Sequence, residues 1–168
     1  ALVKQLATAD PTDEQAPRYL ALVLVKLGDL QRQLENMPAT VANYEQALTV
    51  LQSLRTTVPQ MQIQRDIFNI ANKLGDLQDQ LKKPQEALKA YQLVVEVSER
   101  FVAAAPKNPQ LQSELSASYL KLGNLQQQAG DLPVALAIYE KELELSRQFA
   151  TARPQNTEAQ RELAFSYE

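Results

Sequence analysis

The sequence predicts an all-α fold, an α-α superhelix in which antiparallel helix hairpins stack into a solenoid. The stretch KLGDLQ occupies positions 26–31 and 73–78, and the near copy KLGNLQ occupies positions 121–126. Prolines keep the same spacing of 47 or 48 residues, at Pro11, Pro59, Pro106 and Pro154. Apolar residues within a repeat recur every three or four positions, which is the period of a helix, and nothing alternates with period two for long enough to indicate a sheet.

Each repeat is predicted to be two helices joined by a short turn. All 9 prolines lie at predicted helix boundaries, where a fixed φ and a missing N–H are tolerated. In the third repeat, Gly130 suits the left-handed conformation that ends a helix, and Asp131 suits the cap of the next one. The predicted helices span 1–9, 16–35, 38–57, 62–82, 84–104, 109–129, 132–152 and 156–168.

The repeats divide the whole chain, residues 1–168, into a single array that we expect to be a piece of a longer protein. Residues 1–15 are interpreted as the tail of a preceding repeat. The three full repeats are predicted at 16–59, 60–106 and 107–154, and residues 155–168 as the first helix of a further one.

Composition excludes several classes of function. The formal net charge is −3 and the pI is about 5.1, so there is no basic surface of the kind that binds nucleic acid. The chain has no cysteine and no histidine, which argues against a zinc site, thiol chemistry or a histidine base. No apolar run approaches the length of a membrane span. We therefore expect no metal, no cofactor, no nucleic acid, no membrane partner and a cytoplasmic location.

The repeated motifs resemble those of the tetratricopeptide-repeat family, whose unit is a helix–turn–helix. The family has Leu-Gly in its first helix and Gly-Asp at the turn. An alanine follows in the second helix, a tyrosine or phenylalanine lies four residues later, and a proline closes the unit. The third repeat matches best, with Leu122-Gly123, Gly130-Asp131, Ala135 and Tyr139. The second has Leu74-Gly75, Ala87 and Tyr91, and the first has Leu27-Gly28, Thr40 and Tyr44.

The length of the repeat departs from the family pattern. The family unit has 34 residues, whereas this one has 47 or 48. The extra residues fall at the end of the second helix and at the start of the first. This chain is therefore similar to a long-repeat variant of the family.

The resemblance implies that the first helix of each repeat lines a concave groove that binds a protein or peptide. Carried over by position, the groove residues are Leu22, Val25, Lys26, Asp29, Arg32 and Gln33, then Asn69, Asn72, Lys73, Asp76, Asp79 and Gln80, then Ala117, Leu120, Lys121, Asn124, Gln127 and Gln128. An alternative is that Lys26/Asp29 and Lys73/Asp76 are i, i+3 pairs that only solubilise the surface. The two aspartates argue against a clamp for a terminal carboxylate, because they would repel it.

Other candidate sites are better explained by structure. A single glycine within a helix is not a phosphate-binding loop. Glu140, Glu142 and Glu144 are expected to lie on a solvated face, since their spacing scatters them around a helix. Glu96 and Arg100 are expected to form an ordinary i, i+4 pair.

Glycine in the middle of a helix costs about 1 kcal/mol relative to alanine, so its recurrence needs a reason. We interpret Gly28, Gly75 and Gly123 as points of close approach to the second helix, opposite Thr40, Ala87 and Ala135. Tyr44, Tyr91 and Tyr139 recur within an apolar stripe and are predicted to pack in the core.

The function that follows is a non-catalytic scaffold that binds protein or peptide in its groove. One alternative is a regulatory or sensor segment of a multidomain bacterial signalling protein with a nucleotide-hydrolysing, protease-like or kinase domain. Another is a self-association module that acts through unpaired terminal helices. Enzymatic activity of this chain is the least supported class.

Overall fold

The computed structural model describes residues 15–55, 61–152 and the single residue 161. These residues form six helices and no strand: α1 Gln15–Gln33, α2 Met37–Arg55, α3 Met61–Gln80, α4 Pro84–Ala104, α5 Pro109–Gln128 and α6 Leu132–Ala152. Each begins and ends within two residues of its predicted position. The all-α helical repeat fold is therefore confirmed. The helices predicted at 1–9 and 156–168 lie outside the described residues.

The chain divides into two compact units, Ala1–Lys82 and Lys83–Glu168. In the first unit, α2 packs against both α1 and α3, and in the second, α5 packs against both α4 and α6. We call α1, α3 and α5 the first helices and α2, α4 and α6 the second helices. The boundary between the units falls in the turn predicted for the second repeat, and the single array of repeats stays a prediction.

The turn between α1 and α2 and the turn between α5 and α6 are built in the same way. Gly130 has a φ of +83°, and its N–H donates to Gln127 O at 3.0 Å. The N–H of Asp131 donates to Gln126 O at 3.0 Å, and the Asp131 side chain accepts from Val134 N at 3.3 Å. These bonds satisfy the free carbonyls and amides at the two helix ends.

The α1–α2 turn makes the equivalent bonds with a less suitable residue. Glu35 takes the left-handed position with a φ of +58°, and its N–H donates to Arg32 O at 3.0 Å. Asn36 follows as the cap, accepting from Ala39 N at 3.3 Å. A residue with a Cβ is strained at such a φ, where glycine is not.

In the first unit, Tyr44 of α2 lies in the core, and its side chain is completely buried. A Cβ added to Gly28 would lie 2.6 Å from Cε1 and 2.8 Å from Cδ1 of this ring. The close approach predicted for this glycine therefore exists, but the residue that it meets is Tyr44 rather than Thr40. Thr40 is buried too, and its hydroxyl donates to Asn36 O at 3.0 Å.

The second unit repeats this contact. A Cβ on Gly123 would lie 2.5 Å from Cε1 of Tyr139, so here too the closest residue is the tyrosine rather than the predicted Ala135. Ala135 is buried, whereas Tyr139 is only half-buried. The tyrosine of this hairpin therefore has more room to move than Tyr44 has.

One acidic residue of α6 lies in the core, contrary to our expectation. Glu142 is 2% exposed, and its Oε1 accepts hydrogen bonds from the hydroxyls of Ser116 and Ser146, each at 2.7 Å. Glu140 and Glu144 are exposed as predicted. A buried carboxylate must be hydrogen-bonded to be tolerated, and the two serines meet that requirement.

Candidate interaction surface on the first helices

Thirteen of the predicted groove residues form our candidate partner-binding set, and all of them are at least partly open to solvent. Seven of them are exposed: Lys26, Gln33, Asn69, Gln80, Leu120, Asn124 and Gln128. Six are half-buried: Val25, Asp29, Asn72, Lys73, Asp76 and Lys121. We call these thirteen residues the first-helix surface. A partner can reach this surface without unfolding the core.

Asp29 of this surface bonds side chains from two neighbouring helices. Its Oδ1 accepts a hydrogen bond from the hydroxyl of Tyr44 on α2 at 2.6 Å. Lys73 of α3 donates to Oδ1 at 2.6 Å and to Oδ2 at 2.8 Å. The Lys73 ammonium also lies 5.7 Å from the centroid of the Tyr44 ring. Lys73 thus pairs with the aspartate of the preceding first helix.

These contacts change the charge that the first-helix surface presents. Burial raises the pKa of Asp29, but hydrogen bonds from Lys73 and Tyr44 and the nearby lysine charges lower it, so that the net pKa lies below the ordinary 3.8. The carboxylate is ionised at neutral pH and is matched by an ammonium. The Lys73 ammonium offsets the negative charge of Asp29, so that a partner meets less net negative charge here than the sequence alone indicates.

The first helices α1 and α3 lie side by side within the first unit. The Arg18 Nε donates to Asp66 Oδ2 at 2.7 Å, and the Arg32 Nη2 donates to Gln80 Oε1 at 3.3 Å. Both pairs join residues that are 48 positions apart in the sequence. Positions one repeat apart are therefore neighbours in space, and the first-helix surface continues from α1 to α3.

The second unit has a related set of contacts. The Lys121 ammonium lies 5.3 Å from the centroid of the Tyr91 ring. The hydroxyl of Tyr139 lies 2.7 Å from Asn124 Oδ1 and 3.1 Å from Gln127 Oε1. Burial raises the pKa of Tyr139, so the hydroxyl remains a donor at neutral pH.

The hydroxyl partners of the tyrosines could not be assigned from the sequence, although a signal was present. Tyr44 and Asp29 are 15 residues apart, as are Tyr139 and Asn124. The same spacing in two repeats indicates that both hairpins place the tyrosine hydroxyl beside the residue that follows the helix glycine. Tyr119 has a different partner, Glu99, which accepts its hydroxyl at 2.7 Å.

The first-helix surface offers polar groups that can bind a partner. In the described part of the chain, no three acidic, histidine or cysteine side chains are placed to hold a metal ion. The polar groups of the first-helix surface are amides, lysines and aspartates, which can form hydrogen bonds and ion pairs with a partner.

Comparison with known proteins identifies the repeat. The family model of the tetratricopeptide repeat matches residues 68–101. Residues 68–101 therefore have the sequence pattern of a tetratricopeptide repeat. The match covers most of α3 and α4 and leaves out residues 61–67 at the start of α3, in agreement with the predicted extension of the first helix. Tetratricopeptide repeats are in general protein-interaction scaffolds.

Other comparisons add little. No curated protein matches the chain. The similar solved structures include the "DHF79 filament", which is 17% identical, with 99% of this chain and 92% of that chain covered and a TM-score of 0.46. Similarity at this level is no basis for a conclusion about function. Among the described helices, none has both the length and the apolar character of a membrane span.

Proposed function

We propose that this chain is a non-catalytic scaffold that binds a protein or peptide along the first-helix surface. The observation that supports the proposal is the exposure of this surface together with the lateral contacts between α1 and α3. Side chains of α1 contact side chains of α3, as the hydrogen bond between Arg32 and Gln80 shows. An extended partner lying across the helices would meet equivalent positions in turn.

The recognition chemistry is dominated by amides. Asp29 and Lys73 bond one another, which leaves exposed amides such as Gln33, Asn69 and Gln80 in the first unit. Amide side chains both donate and accept hydrogen bonds and match the backbone of a peptide. Affinity would be the sum of many modest contacts instead of one dominant charge pair.

Site-specific photo-crosslinking tests the proposal. A photoreactive residue at Asn69 on α3 or at Gln33 on α1, both exposed positions of the first unit, should crosslink a bound protein partner in cells that produce the chain. The matched controls are Gln46 on α2 and Gln92 on α4, which are exposed positions on second helices. We expect the same partner to be captured from both first-helix positions and from neither control.

A charge change then tests whether the captured partner is specific. Replacing Asn69 by arginine leaves the Asp29–Lys73 pair and the Arg32–Gln80 bond intact and should abolish capture at Gln33 if one partner lies across α1 and α3. Equal capture from first and second helices, or capture at Gln33 that survives the arginine at position 69, would show that the partner binds elsewhere.

A further inference from the structure

A groove with a volume of about 650 Å³ lies between the second helices α4 and α6, and residues of α5 line it as well. This volume is within the range of about 300–1,000 Å³ that is typical of ligand-binding pockets. All three helices belong to the second unit. None of the lining residues belongs to the first-helix surface. We call this feature the α4–α6 groove; its lining includes Glu99, Leu115, Tyr119, Glu140, Glu144 and Leu145.

The floor of the groove is apolar. Leu115 and Tyr119 of α5 are only 5% and 7% exposed, so they lie at its bottom. Leu145 of α6, which also lines the groove, is half-buried. Apolar side chains of a partner would therefore find apolar side chains to pack against, and their removal from water would favour binding.

The walls of the groove carry an excess of negative charge. Glu99 of α4 and Glu140 and Glu144 of α6 are exposed carboxylates, against one ammonium group, that of Lys141. Glu140 and Glu144 are separated by about one helical turn, a spacing at which like charges destabilise a helix. A positively charged occupant would relieve that repulsion, so charge complementarity favours a cationic partner.

The carboxylates are held at separate places on the two walls. The hydroxyl of Tyr119 donates to Glu99 Oε1 at 2.7 Å, and the Gln148 amide donates to Glu144 Oε1 at 2.8 Å. Side chains that are already held in place lose less entropy on binding. Among the described residues, no three acidic side chains are close enough together to hold a metal ion. The groove is therefore suited to several separated positive charges and not to a single ion.

We propose that the α4–α6 groove binds a basic amphipathic segment of a protein partner, in which arginine side chains are interspersed with apolar ones. Arginine pairs with a carboxylate through two parallel hydrogen bonds, and both walls offer carboxylates. The apolar side chains of the segment would cover Leu115 and Leu145. A cation without apolar groups would leave these two residues uncovered, and a neutral apolar segment would leave the glutamates without a counter-charge.

Fluorescence anisotropy with a synthetic peptide tests the proposal on the full chain. The probe is a labelled peptide of arginine, leucine and alanine. Glu140→Gln with Glu144→Gln removes two carboxylates and should raise the Kd roughly tenfold, since two exposed ion pairs are lost. The matched control is Glu45→Gln with Glu86→Gln, which removes the same charge at exposed positions outside the groove and should leave the Kd nearly unchanged.

A second variant fills the groove instead of removing charge. Ala137 of α6 is exposed and lines the groove, so Ala137→Arg places a guanidinium of the chain itself near the glutamates. This variant should no longer bind the peptide, whereas Ala42→Arg, which adds the same charge at an exposed position on α2, should still bind it. A peptide with serine in place of leucine should bind more weakly, because it cannot pack on the floor. Circular dichroism verifies that all variants keep their helix content.

Four outcomes would overturn the proposal. Absence of binding to the unchanged chain at low salt would leave the groove without this ligand. Equal weakening by the groove substitutions and by their control would show a general attraction of a basic peptide to an acidic chain. Unchanged binding to Ala137→Arg would show that the peptide binds elsewhere, and equal binding of the serine peptide would show that the apolar floor plays no part. The crosslinking experiment on the first-helix surface uses none of these residues, so the two proposals are tested separately.

Discussion

Replacing Gly28 by alanine should destabilise the first unit, although alanine is the better helix former. The added Cβ would lie 2.6 Å from Cε1 of Tyr44 and 3.4 Å from the Cβ of Asn43. The Tyr44 ring is fully buried, and its hydroxyl is bonded to Asp29 at 2.6 Å. The ring therefore cannot swing aside without breaking that bond, and either α1 or α2 must shift.

Two opposing effects set the magnitude. Alanine gains about 1 kcal/mol over glycine in a helix interior. Overpacking by one methyl group in a rigid core costs about 1–3 kcal/mol, and displacement of Tyr44 weakens a hydrogen bond to a charged group, which contributes about 1.5–3 kcal/mol. If that hydrogen bond is lost completely, the gain and the two costs leave a net loss of about 1.5–5 kcal/mol in the free energy of unfolding.

Urea unfolding followed by circular dichroism measures this loss. Gly123→Ala serves as the internal comparison, because its Cβ meets the half-buried Tyr139, which can yield; its cost should be smaller. In a double-mutant cycle, Gly28→Ala should cost less when Tyr44 is already leucine, since the ring is then absent. The steric account fails if Gly28→Ala is as stable as the unchanged chain, or if its cost is the same in both backgrounds.

Four further changes have expected effects on the free energy of unfolding. Lys73→Met removes the ion pair between Lys73 and Asp29, whose two side chains are 40% and 32% exposed. The loss should cost about 0.5–1 kcal/mol at low salt and less at high salt, because salt screens exposed charges. A cost that does not change with salt would contradict the pairing. Glu142→Leu should cost about 1–3 kcal/mol because two serine hydroxyls lose their acceptor, whereas Glu142→Gln, which keeps an acceptor oxygen, should cost less. Glu35→Gly should stabilise the chain by about 0.5–1 kcal/mol by relieving a left-handed φ; a destabilised variant would show that the turn is not strained. Burial and the hydrogen bond to Glu99 raise the pKa of Tyr119 above its ordinary 10.0. The neutral hydroxyl therefore stabilises the fold fully below pH 10, and this stabilisation is lost as pH rises toward the folded-state pKa. In Tyr119→Phe the free energy of unfolding should consequently fall less steeply with pH above 10.

The helices were predictable because their signals are local. Proline cannot lie in a helix interior, and a period of three to four residues needs no knowledge of the fold. The six described helices follow both signals closely. The turn at Gly130 and Asp131 was predictable for the same reason, whereas the left-handed Glu35 was not, because glutamate gives no sign of that conformation.

The contact of Gly28 shows where such reasoning stops. Thr40 was placed opposite the glycine by its small size and register. A helical side chain, however, leans toward the N-terminus of its helix, so that it covers the turn before its own Cα. The ring of Tyr44 fills the space beside Gly28, within 2.6 Å of where a Cβ would lie. The residue predicted to contact Gly28 was wrong by one helical turn, because the direction of the Tyr44 side chain decides which residue lies beside the glycine.

Glu142 was misplaced for a different reason. At 3.6 residues per turn, Glu140 and Glu144 lie on one side of the helix and Glu142 on the opposite side, but the spacing does not say which side faces the core. The choice depends on Ser116, which belongs to another helix and donates a hydrogen bond to it. Ser146, four residues after Glu142, was the local signal that pointed to a satisfied buried carboxylate.

Tyr44 links the packing of a hairpin to the pairing of neighbouring first helices. Its ring fills the gap left by Gly28, its hydroxyl binds Asp29, and the ammonium of Lys73 lies near its face while bonding the same aspartate. We therefore expect a change that moves the ring to disturb the contact between Asp29 and Lys73 as well. The Asp29–Lys73 pair therefore joins α1 to α3 within the first unit, and under the proposed function partner selection would fall to the amides beside it. On this reasoning, substitutions at Asp29 or Lys73 act on stability first, whereas substitutions at Asn69 act on binding alone.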